Sequence, residues 1–362
     1  MKTLGFCPNL ETRLAAWQAF HRADAGTLLV VDSIASLPLP SAFPLTQWGF
    51  PSIAGRDAYL DVCVNRLEAF CLHRLRIGLE DALIPSLAPF YGTPEFDGFL
   101  PGDVRVFPDG AWHQGYLPTL RDFAFPLNAE QPWYAMTIGG MEQLAARARG
   151  RFAVRQRGFY SPLDLVRSMR DNEILMDFYD DPETLHQALA YAVTATNWWI
   201  EQQNTAADRC GEGTLAGFGV WLPGRGAGHF SEDTSAQISP ATYAEFGLPY
   251  TSSVARGLDS IFIHTHPAGE HNFQHVVKVP NLRVLDIYND PNYPRGMIML
   301  QRYADTLFQG LAVELYPSRE EILANADLLR RSKTILRYDA ATDQDALEMA
   351  DFVRELNAKA AR

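Results

Sequence analysis

Cysteine is scarce in this chain, and the four that are present form no recognisable pattern. Cys7, Cys63, Cys71 and Cys210 include no CxxC pair and no regular spacing. Neither a disulfide framework nor a cysteine-rich zinc module is therefore expected. Free thiols are typical of a reducing compartment, so we expect a cytoplasmic protein.

The chain also has no basic stripe and no long apolar run. Its 31 Lys and Arg are outnumbered by 43 Asp and Glu, which gives a net charge of −12 and argues against a nucleic-acid-binding surface. No run approaches the roughly 20 apolar residues that span a bilayer. The N-terminal segment is interrupted by Pro8, Asn9, Glu11 and Arg13, which is not typical of a signal peptide. We expect neither nucleic-acid nor membrane partners.

What the sequence does contain is an alternation of strand-like and helix-like segments. Hydrophobic residues make up 47% of the 362 residues, enough for a substantial core. Short apolar runs that predict buried strands lie at 27–32, 74–78, 152–154, 261–263, 311–315 and 334–338, and helical stretches lie at 10–22, 55–74, 132–149 and 343–359. This alternation predicts a parallel sheet with crossover helices, in one domain over residues 1–362 with a loop-rich elaboration at 85–128.

Polar side chains collect where the predicted strands end, most densely between residues 217 and 290. The run Ile261-Phe262-Ile263 ends in His264 and His266, which are two apart on a strand and so point to the same side. They can converge on one ion or substrate group, or they can be satisfied by hydrogen bonds in a polar pocket. Glu232 and Asp233 precede a helix start at Ser239-Pro240, and only one of this pair is expected to face inward.

Further carboxylates follow other apolar runs. Asp286, Asp290 and Asp339 each come after a predicted strand, and Tyr160 also ends one, so these side chains are candidates to contact a substrate. His271 and His275 have the i,i+4 spacing that can chelate a metal, but they lack the glutamate of a protease motif. We predict that these two histidines face solvent.

Three blocks give the chain a resemblance to the uroporphyrinogen decarboxylase superfamily, which includes the cobalamin-linked, zinc-dependent methyltransferases. They are SPLDLVRSMRDNEILMDFYDDPETL at 161–185, ISPATYAEFGLPY at 238–250, and the strand that ends in His264 with Pro267-Ala268-Gly269 behind it. Residues 75–95 resemble a branch of that superfamily without a defined activity. The resemblance covers most of the chain and implies a (β/α)8 TIM barrel with its site at the C-terminal ends of the strands.

The resemblance also implies roles for individual residues. Asp81 matches the central aspartate of the decarboxylases, and Asp233 matches a small polar residue of their site. In the methyltransferases a His-x-Cys pair and a later cysteine bind zinc. Here His264 matches the histidine, His266 stands at the first cysteine, and Asp339 lies near the second. The arginine-containing segment that holds porphyrinogen carboxylates is missing after Asp32, which argues against uroporphyrinogen as the substrate.

Our leading hypothesis is a zinc-assisted methyltransferase acting on a small molecule or on a corrinoid-bound methyl group, with a corrinoid protein as partner. In it His264, His266 and Asp339 bind Zn²⁺, Asp81 and Asp233 act with His264 in catalysis, and Tyr160, Glu232 and Asp286 contact the substrate. One alternative is a metal-free decarboxylase or lyase of a small carboxylic acid, with Asp81 and His264 as acid and base. A non-catalytic binding barrel is the other. The sequence leaves the oligomeric state open, a homodimer included.

Overall fold

The computed structural model describes residues 4–360, which form an α/β protein built on a parallel sheet. The strands are β1 (Gly26–Ile34), β2 (Ser86–Leu87), β3 (Val104–Val106), β4 (Ala111–His113), β5 (Ala153–Val154), β6 (Phe159–Tyr160), β7 (Arg209–Cys210), β8 (Gly213–Leu215), β9 (Trp221–Pro223), β10 (Gly226–Ser231), β11 (Ser260–Thr265), β12 (Leu282–Ile287), β13 (Ala312–Leu315) and β14 (Lys333–Ala340).

The helices lie before, between and after these strands. They are α1 (Leu10–Arg22), α2 (Ile53–Ile77), α3 (Pro94–Asp97), α4 (Pro132–Ala148), α5 (Pro162–Arg170), α6 (Ile174–Asp180), α7 (Pro182–Ala206), α8 (Pro240–Phe246), α9 (Leu248–Ala255), α10 (Phe273–Val276), α11 (Gly296–Tyr303), α12 (Arg319–Ala324), α13 (Ala326–Arg331) and α14 (Asp343–Ala360). No helix in this described part of the chain combines the length and apolar composition that crossing a bilayer requires.

Seven strands form one sheet in the order β1-β14-β13-β12-β11-β10-β6, and every neighbouring pair is parallel. The predicted α/β class with a parallel sheet is therefore confirmed. A separate parallel pair joins β2 to β5, the hairpin β3–β4 forms a two-stranded antiparallel sheet, and β7, β8 and β9 form a three-stranded antiparallel sheet. Beside β1, the Ala82 amide donates to the Leu29 carbonyl at 2.8 Å.

The strands read as almost continuous apolar runs because both of their faces are covered. One face packs against the crossover helices through residues such as Ile263, Leu285, Val313 and Leu336. The other face carries Val30, Phe262, Val284, Ala312 and Ile335, which belong to a second cluster together with Ala82, Ile84 and Ala153. Helix α1 closes that cluster at the amino-terminal ends of the strands. There the buried Trp17 indole donates to the Ala82 carbonyl at 2.9 Å, and Lys333, the first residue of β14, donates to the His21 carbonyl at 3.1 Å.

Most predicted elements are present, and the helix starts have the expected caps. The Asp181 side chain accepts from the Thr184 amide at the start of α7, and Ser239 accepts from the Thr242 amide at the start of α8. The strand predicted at 74–78 is wrong. Residues 74–77 form the last turn of α2, which ends at Ile77, and Gly78 caps it with a φ of 71°, the left-handed conformation that favours glycine.

Candidate metal centre

Two imidazoles stand at the C-terminal end of β11, each held by a carboxylate. His264 is 7% exposed, and its Nδ1 lies 2.5 Å from the Asp286 carboxylate at the matching position of β12. His266 Nδ1 lies 2.8 Å from Asp290 Oδ1. Because a carboxylate can only accept, both Nδ1 atoms are donors, and each Nε2 atom is left free to accept or to bind a metal.

The two free nitrogens point at each other and at a third ligand atom. His264 Nε2 lies 3.1 Å from His266 Nε2, and Asp233 Oδ1 lies 3.2 Å from His266 Nε2 and 4.0 Å from His264 Nε2. An ion bound at about 2.0–2.2 Å in tetrahedral geometry sets its ligands roughly 3.3–3.6 Å apart. The triangle therefore fits one metal ion with a fourth position left for a substrate or water.

The arrangement is costly without a cation between the rings. If both imidazoles are neutral with protonated Nδ1 atoms, two Nε2 lone pairs face each other at 3.1 Å. A proton or a metal ion relieves this repulsion. Burial opposes the charged form of His266, but hydrogen bonding to Asp233 and Asp290 outweighs it and raises the pKa of His266 to about 9. In the metal-free protein a proton on His266 therefore supplies the positive charge between the rings.

Asp233 reaches this position because a buried carboxylate fixes the turn after β10. Asp164, in the first turn of α5, accepts from the amides of Asp233 and Thr234 at 2.8 and 2.9 Å and from the Ser231 hydroxyl at 2.7 Å. Burial and the neighbouring Asp233 charge raise the pKa of Asp164 to about 6. Asp164 is thus a positioning residue, and sequence reasoning missed it because the block at 161–185 was used only for the family resemblance.

His229 on β10 is the other residue that the sequence gave no reason to select. It is 6% exposed, its ring centroid lies 4.2 Å from that of His264, and neither of its nitrogens has a hydrogen-bond partner within the described residues. Burial and the neighbouring His264 hold the pKa of His229 well below its ordinary value, so the ring is neutral. The backbone approaches it closely, because a Cβ on Gly217 would lie 2.8 Å from the His229 amide nitrogen.

His229, His264 and Asp286 form a second group whose ligand atoms lie close together. This group fits an ion poorly, because the 2.5 Å between His264 Nδ1 and Asp286 is well below the spacing of two ligands on one metal. This distance is that of a short hydrogen bond instead. Asp286 therefore orients His264, and the group of Asp233, His264 and His266 is the better metal site.

A cavity of about 490 Å³ opens beside Asp233. Its lining includes Tyr160, Thr93, Asp164 and Arg167, together with His113 from the β3–β4 hairpin. Tyr160 therefore lies where the sequence predicted a substrate-contacting residue, and that role stays a prediction. The loop-rich stretch 85–128 contributes to this cavity through the hairpin, which is the kind of use expected for a long loop.

Asp81 lies outside this group, contrary to the prediction of a shared site. Its carboxylate has no exposed surface, pairs with Arg74 and accepts from the Val31 amide at 2.8 Å. Arg13 of α1 adds a second cation at 3.8 Å. A carboxylate enclosed in this way joins α1, α2 and β1, so the acid and base pair of Asp81 and His264 is not formed.

Asp339 is also apart from the imidazoles. It is exposed, accepts from the Ser33 hydroxyl at 2.5 Å, and lines a different cavity with Arg319 and Tyr338. Asp233 is the carboxylate that lies beside the two imidazoles instead. The error arose because residues at the ends of different strands can face different parts of one sheet edge.

Glu232 and Asp286 were predicted to contact the substrate. Both side chains are buried in the protein, and neither lines the cavity. Glu232 is fully buried and accepts from the Thr251 hydroxyl at 2.6 Å, and burial beside the Asp164 carboxyl raises its pKa to about 8. As expected, one member of the Glu232 and Asp233 pair faces the site. His271 is exposed as predicted, and its Nε2 contacts the Ile238 carbonyl at 2.9 Å, whereas His275 is half-buried.

No protein-family model matches this sequence, and no curated protein matches it either.

Proposed function

We propose that this protein is a metal-dependent enzyme whose ion is held by His264, His266 and Asp233 at the carboxyl ends of the parallel strands. The observation that carries the proposal is the convergence of two imidazole Nε2 atoms at 3.1 Å while both Nδ1 atoms are occupied by carboxylates. Carboxylate–histidine–metal relays of this kind orient metal ligands in proteins.

We also propose that the sheet closes into the (β/α)8 barrel that the resemblance implies. The segment 82–87 supports closure, because Ala82 bonds to β1 on one side and β2 pairs with β5 on the other. The apolar cluster shared by Val30, Ala82, Ala153, Phe262 and Ile335 is consistent with one enclosed interior. Active sites of such barrels lie at the carboxyl ends of the strands, where the imidazoles stand.

The ligand set favours particular chemistry. A bound divalent ion would act as a Lewis acid and lower the pKa of a nucleophile at its open position. Two imidazoles and one carboxylate form a harder set than the thiolates of the methyltransferases, so an oxygen nucleophile suits it better than a thiol. The protein's own contribution is to fix the two rings through Asp286 and Asp290, and to hold Asp233 through Asp164.

Two reactions follow from this proposal. Membership of the uroporphyrinogen decarboxylase superfamily would imply methyl transfer, with a corrinoid protein as donor or acceptor. The harder ligand set favours the second reaction, the activation of water or of a hydroxyl on a small substrate. The two are separable, because methyl transfer changes the absorption spectrum of an added methylated corrinoid and activation of water does not.

The metal itself is tested by elemental analysis of protein purified with added zinc. We expect about one equivalent in the wild type and a loss of at least tenfold in occupancy for His266→Ala. His271→Ala is the matched control, because this histidine is exposed and contacts only a backbone carbonyl. Wild type without stoichiometric metal, or equal loss in both variants, would contradict the proposal.

A further inference from the structure

Three cationic side chains lie near one another, Arg155 and Arg157 on the link between β5 and β6 and Arg337 on β14, and two of them are matched by carboxylates. Arg337 of β14 pairs with Asp32 and contacts Glu314, and Arg157 pairs with Glu95. Arg155 has no carboxylate partner within residues 4–360. Within those residues its side chain makes one hydrogen bond, from Nη1 to the carbonyl of the adjacent Gln156 at a long 3.3 Å.

Arg155 faces the same side as the apolar cluster, because it is two residues beyond Ala153 on an extended segment. It stays partly accessible to solvent. Burial, together with the charges of Arg157 and Arg337, lowers the pKa of Arg155 to about 9. An unmatched guanidinium in such a place is costly to the folded protein, and costs of this kind concentrate at functional sites.

Two more donors near Arg155 lack partners. Arg157 is 4% exposed, and among the residues that the structure describes its buried Nη1 atom has no hydrogen-bond partner, nor does either nitrogen of His229. Both side chains contact Phe96, whose ring centroid lies 4.8 Å from the Arg157 guanidinium and 5.4 Å from the His229 ring centroid. His229 in turn touches His264 of the candidate metal centre.

We propose that Arg155, with Arg157 Nη1 and His229, binds the carboxylate of a small carboxylic acid substrate beside the metal centre, an inference that rests on the proposed function. One unmatched positive charge calls for a monoanion. A dianionic phosphate would be repelled here by the neighbouring carboxylates, which are those of Asp32, Glu95 and Asp286. A planar guanidinium can hold both carboxylate oxygens, which fixes the orientation of the bound acid.

The test uses the zinc-loaded and the zinc-free protein, with sodium propionate, sodium benzoate and inorganic phosphate as probes in calorimetric titrations. We expect both carboxylates to bind the wild type more tightly than phosphate. Arg155→Met weakens carboxylate binding at least tenfold, and Arg155→Lys weakens it less. Zinc content is the same in all three proteins. Arg151→Met is the control, because this arginine lies on the same stretch but pairs with the half-exposed Glu68.

Thermal unfolding separates a binding role from a structural one. If Arg155 serves to bind a ligand, the ligand-free Arg155→Met protein melts at or above the wild-type temperature, because an unmatched cation has been removed. A lower melting temperature with wild-type carboxylate affinity would overturn the inference, as would phosphate binding equal to that of the carboxylates. Arg155-dependent propionate binding in a protein that takes up no zinc would uphold the anion site and contradict the proposed metal-dependent function alone.

Discussion

Asp286→Asn tests most directly whether the carboxylate that holds His264 strengthens metal binding. Asp286 has no exposed surface, and its Oδ2 atom is 2.5 Å from His264 Nδ1. Asparagine keeps the size of the side chain and can still accept from Nδ1, but it removes the negative charge that makes the imidazole a stronger ligand. Loss of such a supporting group lowers metal affinity about 10–100-fold, or roughly 1.4–2.7 kcal/mol.

The assay is zinc affinity, measured by competition with a chromophoric chelator at fixed pH. We expect Asp286→Asn near the lower end of that range and Asp286→Ala near the upper end, because alanine also removes the acceptor. Asp343→Asn is the matched control. Asp343 Oδ1 makes a similar pair with His73 Nε2, 2.7 Å apart, and this pair is not part of the candidate metal centre. Unchanged zinc affinity in both Asp286 variants, with the fold intact, would refute the reasoning.

Three further predictions concern the rest of the molecule. Arg74→Met leaves the Asp81 carboxylate with one distant cation and should lower the free energy of unfolding in urea by about 3–5 kcal/mol, while the zinc content of the folded protein is unchanged. Burial lowers the pKa of His21 from 6.5 to about 4, so the stability that depends on its neutral ring is complete above pH 6.5 and is lost as the pH falls toward 4. This loss amounts to up to about 3 kcal/mol in the free energy of unfolding. His21→Phe should make that free energy, measured by urea titration, less dependent on pH over this range. Gly217→Ala introduces a methyl group 2.8 Å from His229 and should lower stability by about 1–3 kcal/mol, measured by thermal unfolding.

The sequence predicted the fold class well because the signals are local. Apolar runs such as 27–32 and 261–263 became buried parallel strands, and the caps at Asp181 and Ser239 start helices where they were expected. The failure at 74–78 is also local in origin. In α2 the buried positions Cys71 and Arg74 are three apart, as in a helix, whereas Leu75 is exposed. The alternating polar and apolar residues at 74–77 look like a strand in a window of five residues.

The candidate site was predicted in part, because its ligands come from two separate segments. His264 and His266 follow directly from a strand end, but the choice of Asp233 over Asp339 depends on where the turn after β10 is held by Asp164, 69 residues earlier in the chain. Likewise Asp81 matched a family position, and only its contacts with Arg74 and Val31 assign it a structural role. His229 and Arg155 carry no motif, and their significance comes from missing partners.

Anomalous X-ray diffraction from zinc-soaked crystals, recorded on both sides of the zinc absorption edge, tests the central claim most directly. We predict one strong peak at about 2.0–2.2 Å from His264 Nε2, His266 Nε2 and Asp233 Oδ1. A peak between His229 and Asp286, a peak only on an exposed histidine such as His271, or no peak in crystals that bind zinc elsewhere would contradict it.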